Sequence, residues 1–269
     1  MARRQQTTLI DSFKVDSSVA TEFRRMLERI AEETTGRDYK AILVTSAILA
    51  EGKSTTCALM GIASARLQGL RTLIIDTDLR RPTMHSLLGV NRATGVGEIL
   101  SDGYAAREAV KKTAIDKLDV ITAGTVAGSA GDLFDAEAVA TLIDEMKFYY
   151  DRILVDSAPA LPVSDPMLLA SRVDGTVLVV KAGSTEKDVI TRAADILDPD
   201  RKRLVGVVIN NMNQALPNFY DQDYYGYYAK VDKSAVVSKP SRARGRLKRS
   251  GGGIADRLIP RKKNMIRHD

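Results

Sequence analysis

Ala47-Ile-Leu-Ala-Glu-Gly-Lys-Ser54, followed by Thr55, decides how this chain is read. It follows a short apolar run at 41–45 and opens a helical segment at 53–68. That is the setting of a phosphate-binding P-loop. Consecutive backbone N–H groups and a helix N-terminus can surround an anionic phosphate there. Lys53 can reach the β and γ phosphates, and the Ser54 hydroxyl can ligate Mg²⁺. Gly52 lets the backbone approach closely. Ala50, Glu51, Gly52, Lys53, Ser54 and Thr55 form the predicted nucleotide-contacting set. The first position is Ala47, where the P-loop pattern has glycine, and a chance Gly-Lys-Ser at a helix start is the competing reading of the loop alone.

Working outward, apolar runs at 41–45, 72–75, 118–121, 152–155, 176–180 and 204–209 alternate with helical segments, clearest at 53–68, 134–149 and 185–197. Several runs are Val- and Ile-rich with no polar alternation, the pattern of parallel strands buried on both faces. The fold class is therefore α/β: a mostly parallel central sheet with helices on both faces, in a P-loop NTPase arrangement. In such a sheet all strand C-terminal ends share one edge, where ligands bind. Leu73-Ile-Ile-Asp-Thr-Asp78 and Arg152-Ile-Leu-Val-Asp156 end two strands in acids. Asp76, Asp78 and Asp156 are thus predicted to converge on the P-loop, with Ser54, Asp76 and Asp156 around Mg²⁺. Asn210 follows the run 205–209 on the same edge. Its amide can read a base edge or can simply form a turn.

Charge sharpens the picture. The 269 residues carry a net charge of +6. Residues 229–269 contain 13 Lys and Arg against three acids, so the remainder is net acidic, at −4. A basic tail carries the positive balance and lowers the case for nucleic acid as partner. The tail reads as a solvated extension, as an attachment to anionic lipid through its bases and Ile254, Leu258 and Ile259, or, ranked last, as a nucleic-acid contact. The single cysteine, Cys57, permits no intrachain disulfide and fits a reducing, cytoplasmic setting. Cys57 reads as a buried small residue and His85 as structural. No apolar run reaches the ~20 residues of a membrane helix, and the N-terminus lacks a signal-like apolar stretch.

The predicted organisation is a flexible arm at 1–17, a P-loop domain at 18–216 that opens with a helix at 18–34, a tyrosine-rich segment at 217–228 and a disordered basic tail at 229–269. Gly36 is the predicted stop of the first helix. Five of the nine tyrosines, Tyr220, Tyr224, Tyr225, Tyr227 and Tyr228, lie in the third of these parts. By composition alone they form either a contact patch or a set of phosphate acceptors.

Over roughly 18–228 the sequence resembles the bacterial tyrosine kinases of capsule and exopolysaccharide assembly. The resemblance is carried by Leu73-Ile-Ile-Asp-Thr-Asp-Leu-Arg-Arg-Pro82 with His85 and Leu87-Leu-Gly89, by Asp156-Ser-Ala-Pro159, by Val163-Ser-Asp165 and Gly206-Val-Val-Ile-Asn210, and by the tyrosine cluster. It implies an ATP- and Mg²⁺-dependent tyrosine autokinase. Lys53 would hold the phosphates, and Asp76 would act as metal partner and candidate base for the incoming phenol. Asp78 and Asp156 would support the metal and its waters, and Asn210 would contact adenine. Tyr220, Tyr224, Tyr225, Tyr227 and Tyr228 would be the phosphoacceptors. Glu22 and Arg25 would belong to an oligomerisation helix. Implied partners are further copies of the chain in a homo-oligomer and a membrane polysaccharide co-polymerase or chain-length regulator, so that the chain works at the inner face of the plasma membrane. The sequence departs from the family at Leu49-Ala50, where Pro-Gly is common, at Glu28, where a second arginine is expected, and around Ser129-Ala-Gly131, where an Asn-Pro-Ser stretch is absent. The alternative is a non-kinase ATPase switch of the partitioning and septum-placement type, but the early lysine of that family's loop falls at Ile48.

Overall fold

A computed structural model describes residues 8–32, 39–126, 128–200 and 202–212. All lie in the first of two units, Met1–Lys230, and the second, Val231–Asp269, lies outside the described residues, as do Gly36 and the tyrosine segment. The elements in chain order are α1 Leu9–Ser12, α2 Ser18–Glu32, β1 Ala41–Ser46, α3 Lys53–Leu67, β2 Thr72–Asp76, α4 Met84–Leu88, α5 Val96–Asp102, β3 Lys111–Lys112, β4 Leu118–Ile121, α6 Ala130–Leu133, α7 Ala136–Met146, β5 Arg152–Asp156, α8 Asp165–Ala170, β6 Gly175–Lys181, α9 Lys187–Leu197 and β7 Leu204–Asn210, with a 3₁₀ turn at Ala106–Ala109.

The seven strands form one sheet in the order β3-β4-β2-β5-β1-β6-β7. All pairings are parallel except that of β3 with β4. Alternate residues of the strands point to opposite faces, and both faces are buried. Leu43, Leu73, Ile75, Ile153, Val155 and Leu178 pack under α5, α7, α8 and α9. Ile42, Val44, Ile74, Leu154, Val177 and Val179 pack under α1, α2, α3 and α4. This double burial is why the strands read as unbroken apolar runs. The sheet edge explains the exception: on β7 Val207 and Ile209 are 46% and 57% exposed, because among the described residues no further strand or helix covers them. The two-residue β3 escapes a reading based on apolar pattern, since it consists of Lys111 and Lys112; the latter pairs with Asp119 on β4 at 2.7 Å.

The expected flexible arm at 1–17 is corrected over 8–17. Thr8 and Asp11 form a capping box, with the Thr8 N–H donating to Asp11 at 3.0 Å and the Asp11 N–H to the Thr8 hydroxyl at 3.4 Å. The short helix they start buries Ile10 and Phe13 against the core beneath α2, α3 and α4, and Arg66 of α3 donates to the Phe13 carbonyl at 3.0 Å. Two buried apolar side chains in a four-residue helix and its cap are too sparse a signal for periodicity to catch. Ile10→Ala is expected to cost about 2 kcal/mol of stability in a denaturant titration, whereas a free arm would show no change.

Candidate active site

The sheet order sets the site. β1 lies between β5 and β6, and β2 lies beside β5. In register, Val44 faces Asp156 and Asp76 faces Asp156. The loop 47–52, which leaves β1 for α3, therefore lies at the strand ends that carry the acids.

The loop is held from within and from outside. Gly52 caps α3 at φ +91°, and a Cβ there would lie 2.2 Å from the Asn210 amide nitrogen, so glycine is required twice over. Ala50 also takes a positive φ, +62°. It occupies the place of the family's common glycine and keeps the backbone shape at a cost of about 1 kcal/mol. The Ser46 hydroxyl donates to the Ile48 carbonyl at 2.7 Å. Glu51, only 2% exposed, accepts the Ile48 N–H at 2.8 Å, the Lys181 N–H at 3.1 Å and the Thr185 hydroxyl. Ile48 is partly buried against the core on one face of the sheet, at the position where the partitioning ATPases would carry a lysine. Thr55 and Ala50 are exposed at the loop surface, and Gly52, Lys53 and Ser54 are half-buried.

The Lys53 ammonium donates to Asp78 at 2.8 Å and to the Ser54 hydroxyl at 3.1 Å. Asp76, Asp78 and Asp156 are all buried. The Asp76 carboxylate accepts the Asp78 N–H and the Met84 N–H, both at 3.2 Å. Burial, then the neighbouring Asp156 and Asp78, push the Asp76 carboxyl well above the usual range. Burial pushes Asp156 up to about 6, against the pull of Lys53 and the Ser54 hydroxyl. Lys53 loses by burial, but Asp156, Asp78 and Asp76 outweigh this and raise its pKa. Four ionisable groups thus share one dry edge, and a triphosphate would find its cation already in place.

Both oxygens of Asp156 are buried and neither makes a hydrogen bond of normal geometry, although the Ser54 hydroxyl lies near enough to lower the pKa. Such a carboxylate suits Mg²⁺ or a water bound to it. Among the described residues, no three acidic, histidine or cysteine side chains lie close enough to hold a metal by themselves. Mg²⁺ asks for no such cage, since it keeps waters and takes one or two carboxylates plus substrate phosphates. The donor set of Ser54, Asp76 and Asp156 fits it.

Asn210 reaches the loop: its amide donates to the Glu51 carbonyl at 2.9 Å and accepts the Asn211 N–H at 2.8 Å. It braces the loop and keeps one N–H and one lone pair free for a base edge. Thr185 and the Lys181 backbone are residues of the candidate site that sequence reasoning missed, because they meet Glu51 across 134 and 130 positions and carry no motif. Cys57 is fully buried, and burial pushes its thiol up, so it is inert as a nucleophile. His85 is half-buried, with Nδ1 unpartnered and its pKa lowered by burial and Arg92. Glu22 and Arg25 form a half-exposed ion pair along α2 at 3.1 Å. The five clustered tyrosines lie outside the described residues. Among those residues no helix is long and apolar enough to cross a membrane.

No family model matches the chain. Individual proteins do. It is 30% identical over 229 residues to the tyrosine-protein kinase YwqD of Bacillus subtilis, spanning 85% of this chain and 94% of that one. It is 29% identical over 192 residues to the tyrosine-protein kinase Wzc of Salmonella typhi, spanning 71% of this chain but 26% of that longer protein. The solved structure of the chimerical protein CapA2B2 superposes with a TM-score of 0.69 and 27% identity, over 76% of this chain and 90% of that one. The septum site-determining protein MinD of Pyrococcus horikoshii, complexed with Mg-ADP, has a TM-score of 0.58 at 19% identity over 70% of this chain and 76% of its own, and shares the fold alone. The likeness to YwqD runs through the P-loop and both acidic strand ends that build the site, and by it the chain belongs to the family of bacterial tyrosine kinases.

Proposed function

We propose that this chain transfers the γ-phosphate of ATP to its own tyrosines, Tyr220, Tyr224, Tyr225, Tyr227 and Tyr228, and so regulates polymerisation and export of a capsular or extracellular polysaccharide. The observation that carries the chemistry is the convergence of Lys53, Asp76, Asp78 and Asp156 at the mouth of the P-loop. Phosphoryl transfer needs positioning and charge stabilisation more than covalent help from the protein. Mg²⁺, held by Ser54, Asp76 and Asp156, would neutralise phosphate charge. Lys53 binds the β and γ oxygens. Asp76, whose pKa is raised, orients the phenol and takes its proton, since a free tyrosine with a pKa of about 10 is rarely ionised at neutral pH. Asp78 holds Lys53 in the cleft until phosphates replace it.

The phenol comes from a neighbouring subunit of a homo-oligomer, favoured by the local concentration that a tethered segment provides. The Salmonella relative is several times longer than the matched region. A membrane polysaccharide co-polymerase would be the partner that holds the chain at the inner face of the membrane. The basic tail at 229–269 adds attraction to anionic lipid, each base worth about 1 kcal/mol near such a surface.

The test is direct. The full-length chain incubated with ATP and Mg²⁺ is expected to carry phosphotyrosine confined to 220–228 by mass spectrometry. ATP turnover without tyrosine phosphate would reject the kinase reading and leave an ATPase switch.

A further inference from the structure

Ala50 holds a left-handed backbone at φ +62° without being glycine. A side chain in that region stays there only when its surroundings over-determine the conformation. Here they converge on the adjacent residue. One oxygen of Glu51 accepts the Ile48 N–H at 2.8 Å and closes a ring across Leu49 and Ala50. The other accepts the Lys181 N–H at 3.1 Å and the Thr185 hydroxyl, which fixes the loop to the turn between β6 and α9. The Glu51 carbonyl accepts from Asn210 at 2.9 Å, so the same residue touches the β7 end of the cleft. Coulomb repulsion disfavours an acid beside a triphosphate. The contribution of this buried carboxylate is therefore geometric.

We propose that Glu51 is a positioning residue for the nucleotide. Its carboxylate clamps loop 47–52 in the phosphate-binding shape against the β6–α9 turn, and it does so because position 50 lacks glycine. The inference rests on the reading that the loop binds nucleotide. A carboxylate is needed because donors arrive on both oxygens. Glutamine has the same volume but offers one acceptor oxygen, and its NH₂ would face an N–H. Glu51→Gln therefore opens one side of the clamp without leaving a hole.

The experiment measures ADP binding with Mg²⁺ by calorimetry on the full-length chain, together with thermal unfolding and the KM and kcat of autophosphorylation. Glu51→Gln is expected to weaken ADP binding about tenfold. KM for ATP should rise in parallel, while kcat at saturation changes less than threefold. Thr185→Val, which removes one donor and spares the acid, should weaken binding about threefold. The decisive readout is the coupling. In an Ala50→Gly background, where the left-handed turn no longer has to be enforced, the loss caused by Glu51→Gln should shrink to about threefold or less. Equal losses in both backgrounds, or Glu51→Gln binding like wild type, would overturn the proposal. If Glu51→Gln does not fold, Thr185→Val with and without Ala50→Gly carries the same comparison. If the wild-type chain itself binds no ADP, the nucleotide reading falls and this inference falls with it.

Discussion

Lys53→Met should lower tyrosine phosphorylation by about 10³-fold while leaving the tyrosines in place as acceptors. Its ammonium lies 2.8 Å from Asp78, in a cleft whose other charges are buried carboxylates. In that dry environment a cation aimed at developing negative charge is worth far more than in water. Without it, Asp76, Asp78 and Asp156 repel the phosphates they are meant to receive. The fold responds as well. Removing one partner of a buried pair costs about 3 kcal/mol, and the stranded carboxylates recover part of this by taking up protons. Lys53→Arg separates the two effects. It restores the charge and should return the unfolding temperature close to wild type, yet its planar, wider head group does not fit a site shaped for a point charge, so phosphorylation should stay about 10²-fold down. Time courses of phosphotyrosine formation at saturating ATP, alongside thermal unfolding, read both. Activity of Lys53→Met within tenfold of wild type would remove Lys53 from the reaction.

What the sequence displayed and what it hid divide along physical lines. Six strands were legible because parallel strands buried on both faces need apolar residues at every position. The seventh was hidden because it consists of two lysines at a sheet edge, where charge serves as well as a side chain that packs. The convergence of Asp76 and Asp156 was legible because parallel topology forces strand ends to one edge, and their register shows that juxtaposition. Asn210 came from the same rule. The function of Glu51 was not legible. Inside a P-loop it reads as a ligand-facing residue, whereas its side chain turns away into Lys181 and Thr185. No local pattern encodes a hydrogen bond between residues so far apart in the chain. Ala50 is the complementary case. The departure from Pro-Gly was visible in the sequence, but only the backbone shows that the glycine-like shape persists. The helix α1 was missed because four residues with one strong cap fall below any periodic signal.

Asp156→Asn is expected to make the protein more stable and nearly inactive. Both Asp156 oxygens are buried and neither makes a hydrogen bond of normal geometry, so the substitution gives up only the pull of the nearby Ser54 hydroxyl. It removes a charge that burial has already raised from the ordinary 3.8 to about 6. That shift corresponds to at most about 3 kcal/mol of destabilisation. An asparagine N–H without an acceptor returns about 1 kcal/mol, leaving a gain of about 1–2 kcal/mol, or roughly 2–6 °C in unfolding temperature. The sign follows from proton binding. Between about pH 4 and pH 6 the folded state binds more protons at this site than the unfolded chain does, so stability falls as pH rises through that window and is level above it. The wild-type penalty is therefore complete at about pH 7.5 and is relieved on acidification. Unfolding curves in EDTA without nucleotide should show the Asn variant ahead at about pH 7.5, with its lead shrinking below about pH 6 and gone near pH 4. Phosphorylation should fall by about 10²-fold in the same protein, because on the proposed mechanism this carboxylate would support Mg²⁺ and its waters. A site that holds three acids together for one reaction gives up stability to do so. An Asn variant less stable than wild type at neutral pH would mean that Asp156 is already well satisfied in the resting fold, and the case for a metal beside it would lose its main support.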